Sequence, residues 1–385
     1  MHIVKLILKN LRRHVLRTML TMFGIAIAVL AFGIMRTVIS SWYAGVNASV
    51  ANRLVTVQSV SFIYPLPLSY RDKIAAVPGV REVSFATWFQ GVYKDKDQFF
   101  ARIGVEPETF FDLYPEYVVT KEERDAFLHQ RNGCILGAKT AAKFNLKVGD
   151  IMTVEGDIYP GEWQFQIVGI YHGKAETTDE TGMWFNWHYL DEQLKQTTPT
   201  RANHVGWYIE DISDPNQRAS ISASIDNLFA NSSAETKTQT EKEFNQSFIS
   251  MSGAILTAIN VVSFVIIAII LLILANTMVM SARERTREYA VLKTIGFSSG
   301  HLIALIFGEA IAISAVGGIV GLALLFPMCA GMSKGFGQFF SVFVPEPITL
   351  IMAVSAALLA GIVSSAFPIQ RALTMKIVDG LRQIG

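Results

Sequence analysis

The sequence predicts an α-helical membrane protein with four transmembrane helices and an α+β extracytoplasmic domain inserted between helices 1 and 2. Three observations carry that prediction: four long apolar runs, one long polar stretch between the first and second of them, and a sharp segregation of charge. The composition agrees. Of 385 residues, 51% are hydrophobic and 17% charged, where ordinary soluble domains carry about 25% charged residues.

Taken in chain order, residues 1–17 place Ile3, Val4, Ile7, Leu8, Leu11 and Val15 on one helical face and Lys5, Lys9, Arg12 and Arg13 on the other. That is the pattern of an amphipathic helix lying in the cytoplasmic interface with its basic face on anionic headgroups. The first span is 18–40. It is apolar from Thr18 to Met35, and Arg36 at its outer edge is expected to snorkel to the headgroups. A cleaved signal peptide fits poorly, because the apolar run exceeds the usual length and lies well before Val46-Asn47-Ala48.

Residues 41–250 are too long for a loop and amount to a domain with its own core. Runs rich in valine, isoleucine and aromatics predict strands at 54–60, 81–93, 99–105, 151–156, 163–171 and 204–210. Helices are expected at Arg71–Val80, closed by Pro78-Gly79, at Ala138–Phe144 before a Val148-Gly149-Asp150 turn, and at Asp211–Ala230, capped near Ser213 or Asp214. Residues 231–243 then return the chain to the membrane. The aromatics Phe62, Tyr64, Trp88 and Phe89 read mainly as core, with contact to a hydrophobic cargo as the other reading.

The second span, 251–281, lies inside the 39 uncharged residues between Glu243 and Arg283. A bilayer takes roughly 20 apolar residues in a helix, so this stretch is ample. Asn276 within it is expected to bond across to another helix. A cytoplasmic loop, 282–301, leads to the third span, 302–330, which holds the sole acid within a span, Glu309. Ionisable groups in a membrane are costly and are kept for a purpose. Here the expected purpose is a hydrogen bond to a neighbouring helix rather than a proton-linked or substrate-linked role. Gly24 with Ala28, and Gly317 with Gly321, form small-xxx-small pairs suited to close helix packing. An outer loop, 331–346, precedes the fourth span, 347–368, with Pro345, Pro347 and Pro368 at its ends, where proline is tolerated. A cytoplasmic tail, 369–385, follows.

Orientation rests on lysine and arginine in short flanking segments. Residues 1–17 hold five basic residues and no acid, the 282–301 loop holds Arg283, Arg285, Arg287 and Lys293, and the tail holds Arg371, Lys376 and Arg382. Residues 41–250 carry 19 basic and 27 acidic side chains, a formal charge of −8. Both termini and the 282–301 loop are therefore expected in the cytoplasm and residues 41–250 outside.

The search for chemistry excludes more than it finds. No glycine-rich phosphate loop ending in Lys-Ser or Lys-Thr occurs, nor a His-Glu-x-x-His or Gly-x-Ser-x-Gly motif. His172, His188 and His204, with Cys134, match no metal-ligand spacing, so no metal is expected. Cys134 and Cys329 make no disulfide framework.

Arg283-Glu284-Arg285-Thr286-Arg287-Glu288-Tyr289-Ala290-Val291-Leu292-Lys293-Thr294-Ile295-Gly296 resembles the cytoplasmic "ERTREIGxxxAIG" segment of one family, the MacB- and FtsX-like permeases of ATP-binding cassette (ABC) systems. Gly104-Val105-Glu106-Pro107-Glu108 resembles its "GVdPe" stretch. Ile135 to Lys139, Val148-Gly149-Asp150 and Val168-Gly169-Ile170 resemble its "vLGsxlA…vGd…VvGi" series. Glu309 through Gly321 resembles the Glu then Gly-Gly-x-x-Gly pattern of its third span. Pro368 to Arg382 resembles its closing "PAxxAxxxxPxxALR", with Val378 departing from the usual turn residue. One span, a large outer domain, then three spans is also its layout.

The resemblance implies an extracytoplasmic domain of two lobes, an inner lobe at about 106–203 and a split lobe at 42–105 plus 204–245. It implies a permease subunit without a fused ATPase, itself no enzyme and binding no cofactor, with ATP and Mg held by a separate cytoplasmic ABC ATPase dimer. The implied assembly contains a second copy of this chain in the bacterial cytoplasmic (inner) membrane, with a periplasmic adaptor and outer-membrane channel as further partners and no nucleic acid. Hydrolysis in the cytoplasm would move the outer domain, for efflux or extraction of a hydrophobic or amphipathic substrate, lipid, lipoprotein or peptide. The alternative is an FtsX-like regulator that activates an extracytoplasmic hydrolase.

Within that frame, Arg283, Glu284, Arg287, Glu288, Val291, Leu292, Ile295 and Gly296 are the expected ATPase-coupling residues. The helical pattern continues past the second span until Gly296 supplies a C-terminal cap, and Ser298 or Ser299 caps the third span. A charged turn for a partner's groove then precedes an apolar knob of Val291, Leu292 and Ile295.

Overall fold

The computed structural model of the chain describes residues 6–7, 15–47, 50–96, 98–175, 178–251, 253–336 and 343–374. They form two compact units, one of membrane helices and one inserted after the first of these helices.

Among the described residues, four helices are long and apolar enough to cross a membrane: Val15–Tyr43 within the helix Val15–Asn47, Gly253–Glu284, Ser299–Ser333 within Ser299–Phe336, and Pro347–Thr374. Each runs past its apolar stretch, since helical hydrogen bonding continues wherever polar residues tolerate it. The fourth span departs from expectation. Pro368 lies inside its helix, which continues to Thr374. Pro368 is buried in the helix pack, a setting where neighbouring helices and side chains absorb the backbone bond that proline removes. The interfacial helix expected at 1–17 falls largely outside the described residues, as does most of the tail; Leu6 and Ile7 pack against the membrane core.

That core brings together Ile25, Val29 and Phe32 of the first span, Ile270, Leu274 and Met278 of the second, Leu302, Ile306 and Ile313 of the third, and Ala353, Ala357 and Ala360 of the fourth. Membrane helices gain no hydrophobic drive from meeting one another, so small residues that admit close contact decide where they touch. A Cβ on Gly317 would fall 2.9 Å from the Met22 carbonyl, and one on Gly321 would fall 2.6 Å from the Ala26 carbonyl. The third span thus lies directly on the backbone of the first. Ala28 is buried and Gly24 faces Ile273 of the second span.

The inserted unit is an α+β domain. In chain order its strands are β1 (Arg53–Gln58), β2 (Leu66–Pro67), β3 (Val80–Trp88), β4 (Gly91–Val92), β5 (Arg102–Val105), β6 (Tyr117–Val118), β7 (Gly133–Gly137), β8 (Ile151–Gly156), β9 (Gly161–Gly173), β10 (Met183–Asn186), β11 (His204–Val205), β12 (Trp207–Ile212) and β13 (Thr236–Thr240). Eleven form one sheet in the order β13-β1-β12-β3-β5-β10-β7-β9-β8-β4, with β6 on β9, and β2 pairs β11 separately. Pairing is antiparallel except at β5–β10 and β7–β9. The first five strands of that order come from residues 53–105 and 204–240, and the next four from 133–186.

The 81–93 stretch is not one strand. It breaks at Phe89-Gln90, where Gln90 takes φ 51°, so β3 sits mid-sheet while β4, two residues on, pairs β8 at the far end. The sheet therefore curls, and Phe89 fills the inside, its ring 5.3 Å from those of Trp163 and Phe185. Gly91 permits the closure, for a Cβ there would meet the Glu155 carbonyl at 2.7 Å. Phe62 and Trp88 also pack against core, whereas Tyr64 is exposed.

The helix expected from Asp211 starts only at Arg218. β12 occupies the chain to Ile212, and Asp214 then caps a Pro215–Gln217 turn by accepting from the Asn216 N–H at 2.9 Å. Ala138–Phe144 is helical as expected and closes on left-handed Asn145.

Candidate functional site

The segment after the second span is built as an elbow. The span ends at Glu284, where Arg285 leaves helical geometry with φ −99° and ψ 9°. Thr286 turns its hydroxyl back onto the carbonyls of Arg283 at 2.9 Å and Ala282 at 3.2 Å, satisfying acceptors that the interrupted helix leaves open. A short helix, Thr286–Thr294, follows at once. It closes at Gly296, whose φ is 96°. Phe297 N–H donates to the Leu292 carbonyl at 3.0 Å and Gly296 N–H to the Lys293 carbonyl at 3.2 Å, the paired closure that a left-handed glycine makes possible. No atom lies near a Cβ built on Gly296, so conformation rather than space calls for glycine. At the head of the third span, Ser298 pairs its hydroxyl with His301 Nδ1 at 2.6 Å rather than with a backbone N–H.

The elbow as a whole, from Glu284 to Gly296, is tied to every span. It is continuous with the second. Arg285 turns inward, and its guanidinium donates to Glu309 of the third span at 2.7 Å, with the two side chains 5% and 6% exposed. Ser281 adds a 3.5 Å contact to the same carboxylate. Glu284 takes a two-pronged bond, 2.5 and 2.6 Å, from Arg17 of the first span. Lys293 Nζ donates to the Ala372 and Leu373 carbonyls at 2.8 and 3.3 Å, placing a cation on the C-terminal end of the fourth span, where the helix dipole favours it. Tyr289 is buried in the membrane core, and Ala290 beside it is fully buried.

The coupling residues read from the sequence divide accordingly. Arg283, Arg287, Val291 and Ile295 recur every four residues and are exposed, Ile295 to 70%. They make one outward stripe in which two arginines precede two aliphatics. Glu284 is engaged by Arg17. Glu288 is half-buried. Leu292 does not join the apolar knob: it lies on the Arg285–Tyr289 face and packs against the membrane core.

Other polar residues of the spans also find partners. Glu309 bonds to a neighbouring element, the Arg285 elbow. Asn276, expected to bond across, sits on the exposed face of its helix. The next residue does so instead, Thr277 Oγ1 lying 3.1 Å from Thr21 Oγ1. Arg36, expected to reach headgroups, donates to Asn260 of the second span at 3.1 Å.

In the inserted domain each candidate histidine has its own companion: Glu180 for His172, Glu108 for His188 and the Ala202 carbonyl for His204. Among the described residues no three His, Cys, Asp or Glu side chains converge as metal ligands. Cys134 and Cys329 are free and buried, and burial pushes the Cys134 thiol well up from its ordinary range.

Two family models match the chain: the MacB-like periplasmic core domain over residues 18–228 and the FtsX-like permease C-terminal domain over 260–377. An uncharacterized ABC transporter permease of Methanocaldococcus jannaschii is 25% identical over 349 residues, 84% of this chain and 82% of that one. The pyoverdine export ATP-binding/permease protein PvdT of Pseudomonas aeruginosa is 34% identical over 106 residues, and the macrolide export ATP-binding/permease protein MacB of Chromobacterium violaceum 30% over 112. Those two matches span 28% of this chain but only 15% and 16% of theirs. Among solved structures, the periplasmic region of MacB from Actinobacillus actinomycetemcomitans aligns over 53% of this chain and 95% of its own, at 13% identity and a TM-score of 0.38.

Proposed function

The chain belongs to the MacB- and FtsX-like permeases of ABC transporters, and from that premise we propose that it is the membrane subunit of a transporter driven by a separate cytoplasmic ATPase. Its elbow helix is the docking site, and its inserted domain is the part that moves to do the work. Segregated charge supports an orientation with both termini and the elbow in the cytoplasm and residues 41–250 outside. Two copies of the chain pair with two copies of the ATPase. The substrate is hydrophobic or amphipathic, in keeping with work at the outer face of a membrane.

The observation that carries this reading is the elbow itself. A single interfacial ion pair would satisfy a charge; here three separate ties, from Glu284 at the end of the second span, Arg285 at the joint and Lys293 in the short helix, bind the elbow to the first, third and fourth spans while an arginine–aliphatic stripe stays exposed. Such a helix receives a partner on one face and hands displacement to the whole bundle on the other. Its exposed aliphatics suit a hydrophobic pocket, and its arginines suit an acidic rim.

The test is assembly and turnover. The purified chain is expected to hydrolyse no ATP alone. Co-expressed with its cassette ATPase, it is expected to purify as a complex with two copies of each and to show hydrolysis that depends on both. Nucleotide binding by this chain alone, or failure of every cassette ATPase of the source cell to co-purify, would count against the reading.

A further inference from the structure

In the inserted domain, a buried arginine sits where the chain enters and leaves. Arg53 opens β1, is 3% exposed, and lies six positions past Asn47, the last residue of the first membrane helix. Its Nε donates to Glu241 Oε2 at 3.0 Å, and Glu241 opens the helix Glu241–Met251 that leads to the second span. The same Glu241 oxygen accepts the Val50 N–H at 3.0 Å. The outgoing helix is set in direction by a capping box: Glu243 accepts the Thr240 N–H at 2.8 Å while Thr240 Oγ1 accepts the Glu243 N–H at 3.2 Å. The two ends of the domain are therefore stitched to each other through one carboxylate.

The rest of the guanidinium reaches into a different part of the sequence. One nitrogen donates to the Leu113 carbonyl at 2.7 Å, another to Glu116 Oε1 at 2.5 Å, and the plane lies 4.0 Å over the Tyr114 ring. Residues 113–116 lead into β6, which pairs β9, and β9 is the long strand to which β7 and β8 are also bonded. A planar group with fixed donors holds such partners in one geometry, which a flexible ammonium does not. Stability alone asks for no such cluster, because a buried ion pair is often no better than an apolar replacement.

We infer that Arg53 is the positioning residue that couples the domain's two membrane-bound ends to segment 110–118, so that displacement of those ends is passed to β9 and the strands around it. The inference rests on the permease reading, in which the spans move the domain. Neither family membership nor the elbow assigns any role to this residue. Its place at both chain connections, and its reach across to the 110–118 segment, are what single it out.

The experiment uses the full chain with its ATPase in lipid nanodiscs. Spin labels go on Ala223→Cys, exposed on the helix Arg218–Phe229, and on Lys121→Cys, exposed just after the 110–118 segment. Both native cysteines are buried and stay unlabelled. A non-hydrolysable ATP analogue is expected to shift the inter-label distance in the parent complex. Arg53→Met is expected to abolish the shift, Glu116→Ala to reduce it, and Arg53→Lys to restore part of it, with tryptophan fluorescence and nucleotide binding by the complex unchanged. If Arg53→Met fails to fold, Glu116→Ala decides. A shift that persists at full size in the folded variants overturns the role of Arg53 and leaves the permease reading intact. A parent complex whose labels do not respond to nucleotide overturns both.

Discussion

Glu210 shows how much a single buried side chain can say. It lies in β12, the third strand of the sheet order, fully buried, with no hydrogen bond of ordinary length to either carboxyl oxygen. Burial, aided by the nearby Asp226 carboxylate and opposed by Thr56, pushes its carboxyl up to about 8. An unfolded glutamate titrates near 4.3, so the folded state holds the proton more tightly. Glu210 then contributes stability that is full below the unfolded value, falls as pH rises across the interval, and is lost above about 8. The thermal midpoint of the full chain, followed by tryptophan fluorescence, is expected to fall with rising pH over this window. Glu210→Gln is expected to flatten that dependence, and an unchanged slope would contradict the assignment. Such residues are hard to foresee in a sequence, where Glu210 is one acid among many in a polar stretch. The same limit explains Asn276. A polar residue in a span announces a partner but not a direction, and Thr277 beside it bonds both to the Ile273 carbonyl at 2.9 Å and across to Thr21.

At the scale of elements, the spans and the elbow's end were legible because length, apolarity and one glycine specify them. Gly296 marks the stop of a helix by its freedom to take φ 96°. Which of Arg283, Arg285 and Arg287 turns inward was not legible. All three satisfy the same charge rule, and only the facing Glu309 on another helix distinguishes Arg285. β7 and β10 were missed for a related reason: both are buried along their whole length, so the alternation that betrays a half-buried strand is absent. The helix Lys121–His129 was missed although Thr120 and Glu123 form its capping box. The elbow's inward tie yields a prediction. Glu309→Ala leaves Arg285 buried without its counter-charge, a loss of about 3–5 kcal/mol for such pairs. A lowered thermal midpoint and reduced ATPase coupling are expected, and the double variant Arg285→Met with Glu309→Met is expected to recover much of the stability but not the coupling. Recovery of both would reduce the pair to a structural filler.

Across the whole molecule, the fold class was within reach of the sequence because a bilayer imposes few solutions: apolar helices of one minimum length, joined by segments sorted by charge. The strand order of the inserted domain was not, since a curled sheet that takes strands from both ends of the domain leaves no periodic trace of its neighbours. What unites the parts is a mechanical claim. In the proposed mechanism a partner would act on the outward stripe of the elbow, three ties would pass the displacement to the spans, and the inserted domain would answer on the other side. The most direct measurement places a photocrosslinking amino acid singly at Arg283, Arg287, Val291 and Ile295, and at the exposed Lys96 of the inserted domain, in the complex purified with its ATPase. Adducts with the ATPase are expected from the four elbow positions and none from Lys96. An actively hydrolysing complex that gives no adduct from the elbow, or gives one from Lys96, would contradict the account.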